Sequence, residues 1–398
     1  MITDRQRAAR ADSLAAIAVA CIGCALLVAA AAANRAWFDR HFLPSFWTPH
    51  EEIVRRGMLV RAAVAVAGAL IVAVSRRVGR IFVREPLHAL TLPLAVVLAF
   101  VATELILRRR AVPPSEPRTH ADARLGWSFD AGRTGTATLL GRRTSYAFDR
   151  NGYRVASQAV QTNFDAPTIL FTGESIMVGH HLAWADTIPA QTSAELGLQS
   201  ANIAVSGFAT DQSYLRLTAE LPRFRHPVAV VALFAPAIFD RNLDDDRPHL
   251  APGLVWSPPV RHWHTVSLAA RAIGYRSDQA IERGVAMARD VLTATVRLAR
   301  SRGAVPLIVV PQFEPEEPGE RELRRRILDE AQLPYVYVPI DADDRVENDG
   351  HPDEDGAREI AEGIADALRS AVDEQLAQQG KSRSAAPSVN GVKLSAKW

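Results

Sequence analysis

The sequence is nearly devoid of cysteine. Only Cys21 and Cys24 occur among 398 residues, both inside an apolar run, so neither a disulfide framework nor a zinc cluster can be built. A charge excess is also missing. Lys plus Arg number 46 against 44 Asp plus Glu, which leaves no large positive field of the kind that holds phosphate backbones and excludes nucleic acid as an expected partner. The first 110 residues contain no lysine and hold nearly all of the long Ala/Val/Leu runs. With 48% hydrophobic and 23% charged residues, the chain is not disordered throughout and has length for roughly two or three compact units.

Residues 1–110 read as a membrane region with about three transmembrane helices, at 14–33, 58–74 and 90–107. About 20 apolar residues rising ~1.5 Å each cross a hydrocarbon core of ~30 Å. Arg61 lies near one end of the second run, where a long side chain can snorkel to the headgroups. The arginines flanking the three runs divide equally between the two sides. The first span usually dominates, so the N-terminus is expected inside and everything after the third span outside. Small residues at 29–33 also resemble a signal-peptidase site, and cleavage there would leave the remaining domain on the same side.

Residues 111–118 are Pro-rich and form a stiff linker. From 119 to 165, Gly126, Gly132, Gly135, Gly141 and Gly152 punctuate short β-prone pieces, predicting a small β-hairpin extension. From 166 the pattern alternates. Buried-strand runs at 168–171, 201–205, 228–234, 305–310 and 335–339 are separated by helix-like segments near 187–196, 211–221, 277–301 and 320–331. Ala357, Ile360, Ala361, Ile364, Leu368 and Ala371 then share one helical face. Five strands separated by helices predict an α/β class with a five-stranded parallel sheet, because parallel crossovers need a dozen or more residues. This domain runs over 166–375, with an insertion or lid near 241–271, and 376–398 reads as a disordered tail.

Ligands in an open parallel sheet bind beyond the carboxyl ends of the strands. The first strand ends in Gly173-Glu174-Ser175, where a hydroxyl is exposed at a strand-to-helix turn and the amide faces a positive helix end. The second ends in Val205-Ser206-Gly207, whose glycine permits a close backbone approach or a positive φ. The last is followed by Asn348-Asp349-Gly350-His351-Pro352. A carboxylate two residues before a histidine can hold its Nδ1 and leave Nε2 free as a base toward a serine, although the same cluster could simply cap the next helix. Other polar groups read more simply. His180, His181 and Asp186 are expected in a solvated loop, with lining the site as the alternative, Asp244, Asp245 and Asp246 are likewise expected in a solvated loop, and His262 and His264 alternate without a nearby carboxylate or Cys ligand set. Phe239, Trp256, Trp263 and Tyr275 are expected to form a local core, with an aromatic surface for a sugar or acyl chain as the alternative.

Together with Leu125-Gly126-Trp127, Asn151-Gly152-Tyr153-Arg154, Asn202 to Gly207 and Asp211-Gln212, these blocks resemble the SGNH hydrolases, also called GDSL esterases/lipases, in their membrane-anchored bacterial form. The resemblance covers roughly 125–368. It implies a three-layer α/β/α flavodoxin-like domain, Ser175 as nucleophile, His351 as its base and Asp349 as the residue orienting His351. The oxyanion would be held by the backbone amides of Ser175 and Gly207. The reaction implied is cleavage of an acyl ester of a carbohydrate, cell-wall glycan or lipid through an acyl-serine, with no cofactor and no metal, on the periplasmic or extracytoplasmic side of a bacterial inner membrane. Two positions depart from the pattern. Glu174 stands for the usual Asp, and Ala237 stands where the family carries an oxyanion Asn, leaving Asn242 as the residue that would have to reach back. The same triad would serve an O-acyltransferase, and Ala237 also suits a catalytically silent scaffold or glycan-binding component.

Overall fold

The computed structural model describes residues 4–109, 116–139, 141–313, 315–347 and 349–384. Most of the 111–118 linker, Asn348 and the segment from 385 onward therefore lie outside the described residues. Four helices come first: α1 (Asp4–Ala32), α2 (Arg35–His41), α3 (His50–Arg84) and α4 (Pro86–Arg109). By length and composition α1 and α3 are apolar enough to cross a membrane. They pack along each other, and Gly23 and Gly68 face one another so closely that a Cβ on either would lie under 3 Å from the other's carbonyl oxygen. Small residues let helix backbones approach in this way where no water drives them together.

The strands follow as β1 (Thr119–Asp122), β2 (Gly126–Phe129), β3 (Thr134–Leu139), β4 (Arg142–Phe148), β5 (Arg154–Val155), β6 (Thr168–Thr172), β7 (Gln199–Asn202), β8 (Pro227–Leu233), β9 (His249–Ala251), β10 (Val255–Ser257), β11 (Val305–Phe313) and β12 (Tyr335–Ile340). The main sheet has eight strands in the order β12-β11-β8-β6-β7-β5-β4-β3, which corrects the expected count of five. Its parallel part is β12-β11-β8-β6-β7. The difference lies in β3, β4 and β5, which join it antiparallel through a single pair, Arg154 opposite Asn202, where a separate hairpin was expected. β8 is apolar throughout, β6 is apolar between Thr168 and Thr172, and both are buried at every position, as strands covered on both faces are.

The remaining helices are α5 (Ser175–Val178), α6 (Ile188–Leu196), α7 (Thr210–Glu220), α8 (His264–Ile273), α9 (Asp278–Ser301), α10 (Pro318–Arg324) and α11 (Glu354–Ser384). α6 and α11 cover one face of the sheet while α7 and α9 cover the other. The inward stripe Ala357, Ile360, Ala361, Ile364 and Leu368 is buried, and α11 continues past 375, where a disordered tail was expected to begin. The 241–271 segment holds the end of a 3-10 turn, the β9–β10 hairpin and the start of α8.

The N-terminal helices are fastened to this domain. Trp37 stacks on Tyr275 at 5.5 Å, and His41 exchanges hydrogen bonds with the backbone of Arg276. The Glu104 carboxylate accepts the amides of His264 and Thr265, capping α8 from α4. Two of the aromatics expected in a local core are accounted for differently: Phe239 is buried in a core cluster, but Trp263 packs on Phe100 and Tyr275 on Trp37.

Arg154, on β5, is 1% exposed and donates to the carbonyls of Val178 (2.5 Å), Gly179 and Leu182 (2.5 Å), directly behind α5. Its guanidinium also lies over the Tyr146 ring. Replacing Arg154 by Met removes these charge-assisted bonds and leaves the carbonyls buried, so Arg154→Met is expected to lower unfolding free energy by about 3 kcal/mol. Thermal or urea denaturation of the full chain in detergent measures this, and a change within about 0.5 kcal/mol would contradict it.

Candidate active site

Ser175 is set by the turn after β6. Gly173 has φ 157°, and a Cβ there would come 2.7 Å from the Cβ of Leu233, so the strand can end this close to β8 only with glycine. Asn202 steadies the turn from the next strand: its amide donates to the carbonyl of Met177 and its oxygen accepts the amide of Ala204. His351 arrives from beyond β12. The loop carrying it is closed by the bridge between Arg345 and Pro352 and by the Val346 amide donating to the His351 carbonyl at 2.8 Å.

The structure brings Ser175, His351 and Asp349 together. Nε2 of His351 lies 2.8 Å from Oγ of Ser175, and its Nδ1 is hydrogen-bonded to the Asp349 carboxylate. With Nδ1–H donating to Asp349, Nε2 is the acceptor facing the hydroxyl. Ser175 and His351 are both buried.

Asp349 has a second histidine. His181, expected in a solvated loop, is buried with φ +66°, and its Nε2 lies 3.4 Å from Oδ2 of Asp349. Burial pushes the Asp349 carboxyl up, but the hydrogen bond and charge of His351, with help from His181, outweigh it and hold the group down at about 2. Burial lowers His181, and it pushes His180 down to about 3, with the neighbouring histidines adding to the effect. The ligand atoms of His181, Asp349 and His351 lie within 4.8 Å of one another, a spacing that would suit a cation. Both nitrogens of His351 already have partners in Asp349 and Ser175, however, which fits proton transfer better than metal ligation.

The expected oxyanion donors are distributed unevenly. Glu174 is the N-cap of α5, and its carboxylate accepts the amides of Ser175 (2.5 Å) and Ile176 (2.9 Å) as well as the Ser175 hydroxyl. The Ser175 amide is therefore engaged by its own cap, which is the ordinary fate of the first amides of a helix preceded by an acidic residue. Nη1 of Arg241 lies 2.7 Å from the same Glu174 oxygen. Burial would raise Glu174, but the charges of Arg241 and His351 keep it below the usual carboxylate range. Gly207, with φ +79°, has no acceptor for its amide among the described residues. Asn242 is directed elsewhere, because its oxygen accepts the Thr210 amide at the start of α7. The Ala237 carbonyl accepts the amide of Phe46 at 2.8 Å, and both residues belong to one core cluster.

Phe46 and Trp47, from the link between α2 and α3, flank the catalytic candidate directly. Their rings lie 5.2 and 5.8 Å from that of His351, both edge-on, while Arg345 donates to the Phe46 carbonyl and stands over its ring. The motif residues further out act as struts. Trp127 Nε1 donates to the Ser206 carbonyl, Gln212 binds the Leu125 carbonyl, and buried Asp211 pairs with Arg247. Asp186 lies in the turn Trp184–Asp186 with no side-chain bond to the three central residues. His262 pairs with Asp245 and His264 with Glu104, carboxylates supplied by the fold. Arg241, Phe46 and Trp47 are the neighbours of Ser175 and His351 that sequence spacing misses, since nothing local ties them to Ser175, whereas His181, six residues after Ser175, takes the site-lining place that was the lesser expectation for it.

No protein-family profile and no curated protein sequence matches this chain. Solved structures that resemble it include a lipolytic protein of the G-D-S-L family from Desulfitobacterium hafniense DCB-2, at 12% identity, covering 51% of this chain and 99% of that one with a TM-score of 0.34. An acetyl xylan esterase from the rumen bacterium Butyrivibrio proteoclasticus is 11% identical over 54% of this chain and 66% of its own, with a TM-score of 0.33. A G-D-S-L family protein from Veillonella parvula DSM 2008 is 12% identical over 51% and 98%, with a TM-score of 0.32.

The histidine cluster should be visible in the pH dependence of stability. His180 titrates at about 3 when folded and near its ordinary 6.5 when unfolded. Between those values the unfolded chain holds more protons, so stability is full above about pH 6.5 and falls as pH drops toward about 3. Asp349 adds a loss of the same sign between about pH 3.9 and about 2. Melting temperatures from about pH 7 to 4 should therefore decline less steeply in His180→Gln than in the wild type, and equal slopes would refute the assignment.

Proposed function

We propose that this chain is an SGNH-type serine hydrolase that cleaves an acyl ester of a carbohydrate, cell-wall glycan or lipid, held by its N-terminal helices in a bacterial inner membrane with the α/β domain on the extracytoplasmic side. The reading rests on one observation, the chain of contacts from Asp349 through His351 to Oγ of Ser175. In it, Nε2 of His351 takes the hydroxyl proton as Oγ attacks the ester carbonyl carbon. The same proton then passes to the departing alcohol as the C–O bond breaks, leaving an acyl-serine. Water attacks that ester, His351 takes its proton and returns it to Ser175, and the acid leaves. The Gly207 amide faces the developing oxyanion, and the Arg241 guanidinium supplies positive charge beside it. Asp349 offsets the positive charge that forms on the imidazole.

Membrane attachment is supported by large apolar side chains such as Leu14, Ile17, Val66 and Leu70, more than half exposed on the outer faces of α1 and α3, a surface that water does not tolerate at this extent. The link between α2 and α3 touches the α/β domain, so this reading needs α4 to cross together with α1 and α3 for the two to share one side.

The test is labelling of the full chain with a fluorophosphonate, together with hydrolysis of p-nitrophenyl acetate. Ser175→Ala and His351→Ala should abolish labelling, and Asp349→Asn should lower kcat by ~10⁴-fold with little change in KM. A folded wild type that resists the reagent would sink the proposal.

A further inference from the structure

Two clefts lie beside the site. One, of about 630 Å³, is lined by Thr136, Thr138, His180 and His181 and by the apolar Trp127 and Phe129. The other is larger, about 1150 Å³, and lies between the membrane helices and the α/β domain. Its far wall is Ala29, Ala30 and Ala33 of α1 and its continuation together with Val60 and Val64 of α3. Its near wall is charged, with Asp240 and Asp244 among the lining residues, and includes Trp47, Gly207 and Arg241, which are respectively against His351, beside the proposed oxyanion and paired with Glu174. The space exceeds that of a typical drug-sized ligand site of roughly 300–1000 Å³.

We infer that this cleft takes the acyl chain of a membrane-resident long-chain ester and leads its carbonyl to Ser175. The inference rests on the proposed serine chemistry and names its substrate class. Three observations support that occupant. The apolar wall is built from the two helices whose outer faces are exposed and apolar, so a chain can enter from the hydrocarbon layer without crossing water. Small alanines and valines, where larger side chains would fill the gap, leave a slot on the helix side of the cleft. Arg61 stands at the cleft with its guanidinium on the Ala30 carbonyl (2.6 Å) and Met58 Sδ (3.6 Å), and it pairs with no carboxylate among the described residues. The other arginines lining the cleft have acidic partners: Arg56 with Glu52, Arg241 with Glu174, Arg247 with Asp211 and Arg276 with Asp244. A cation without a counter-charge at the headgroup level suits the polar end of a lipid ester.

The experiment uses the full chain in one detergent and compares labelling rates with ethyl and hexadecyl fluorophosphonates. The ratio of long-chain to short-chain rate should fall about tenfold in Val64→Trp and in Ala33→Trp, which fill the slot. In Leu70→Trp, on the outer face of α3, the ratio should stay as in the wild type. Equal ratios in all four proteins would overturn the inference while leaving the serine chemistry intact. Failure of both reagents on the folded wild type would instead overturn the reading beneath it. A readout independent of Ser175 reactivity completes the test. Ser175→Ala in nanodiscs containing a diazirine-tagged palmitoyl phosphatidylglycerol should crosslink at 29–33 and 60–64, and Val64→Trp should suppress this. Crosslinks confined to the outer faces of α1 and α3 would refute the cleft as an acyl site.

Discussion

Everything at the site depends on a contact between residues 176 positions apart, the 2.8 Å approach of His351 Nε2 to Ser175 Oγ. Such a contact cannot be made locally. It exists because β6 and β12 run parallel in one sheet and deliver their carboxyl ends to the same edge. The hydrophobic packing of α11 against β8, β11 and β12 holds that edge in register, and its inward stripe begins six residues after His351, at Ala357. Core packing and site geometry are in this sense one constraint, since a shift of α11 along the sheet would carry the imidazole away from the hydroxyl.

The second constraint is that the N-terminal helices complete the site as well as adjoining it. Phe46 and Trp47 shield His351 on the side that the α/β domain leaves open, and the Phe46 amide is satisfied by the Ala237 carbonyl. At 237 a small side chain shares a buried cluster with the incoming Phe46 ring, and a polar amide in its place would have to be accommodated in that apolar surrounding. Positive charge beside Ser175 comes from Arg241, one turn further along the same 3-10 segment.

How legible this was in the sequence follows from the range of the interactions. The parallel strands were readable because fully covered strands must be apolar at consecutive positions, as in Val228 to Leu233. Ser175, His351 and Asp349 were expected as neighbours because Gly173-Glu174-Ser175 ends a strand and Asp349-Gly350-His351 is a short motif in the loop ahead of the last helix. The eight-stranded width was not, because β5 joins the parallel part through one residue pair, a tertiary event that no periodicity records. His181 was read as solvated for the same reason: its burial is set by β4, whose Tyr146 hydroxyl accepts the His181 amide and whose Thr144 hydroxyl donates to its carbonyl. The partners of Glu104 and of Phe46 lie more than a hundred residues away, beyond the reach of any local pattern.

The buried charges around Ser175 are arranged so that none stands alone. Asp349 lies between His351 and His181, Glu174 between Arg241 and the amides of α5, and Arg154 among three carbonyls. An isolated charge at these depths would cost several kcal/mol, so each partner is a requirement of folding before it is an asset to chemistry. The consequence for the serine is specific. Its hydroxyl proton has two acceptors, the His351 nitrogen and the Glu174 carboxylate, and only the first leads to a nucleophile with a base able to pass the proton onward. The Arg241 pairing draws charge from the second acceptor and weakens it as a competitor. One Glu174 carboxylate thus both caps α5 and pairs with the Arg241 guanidinium.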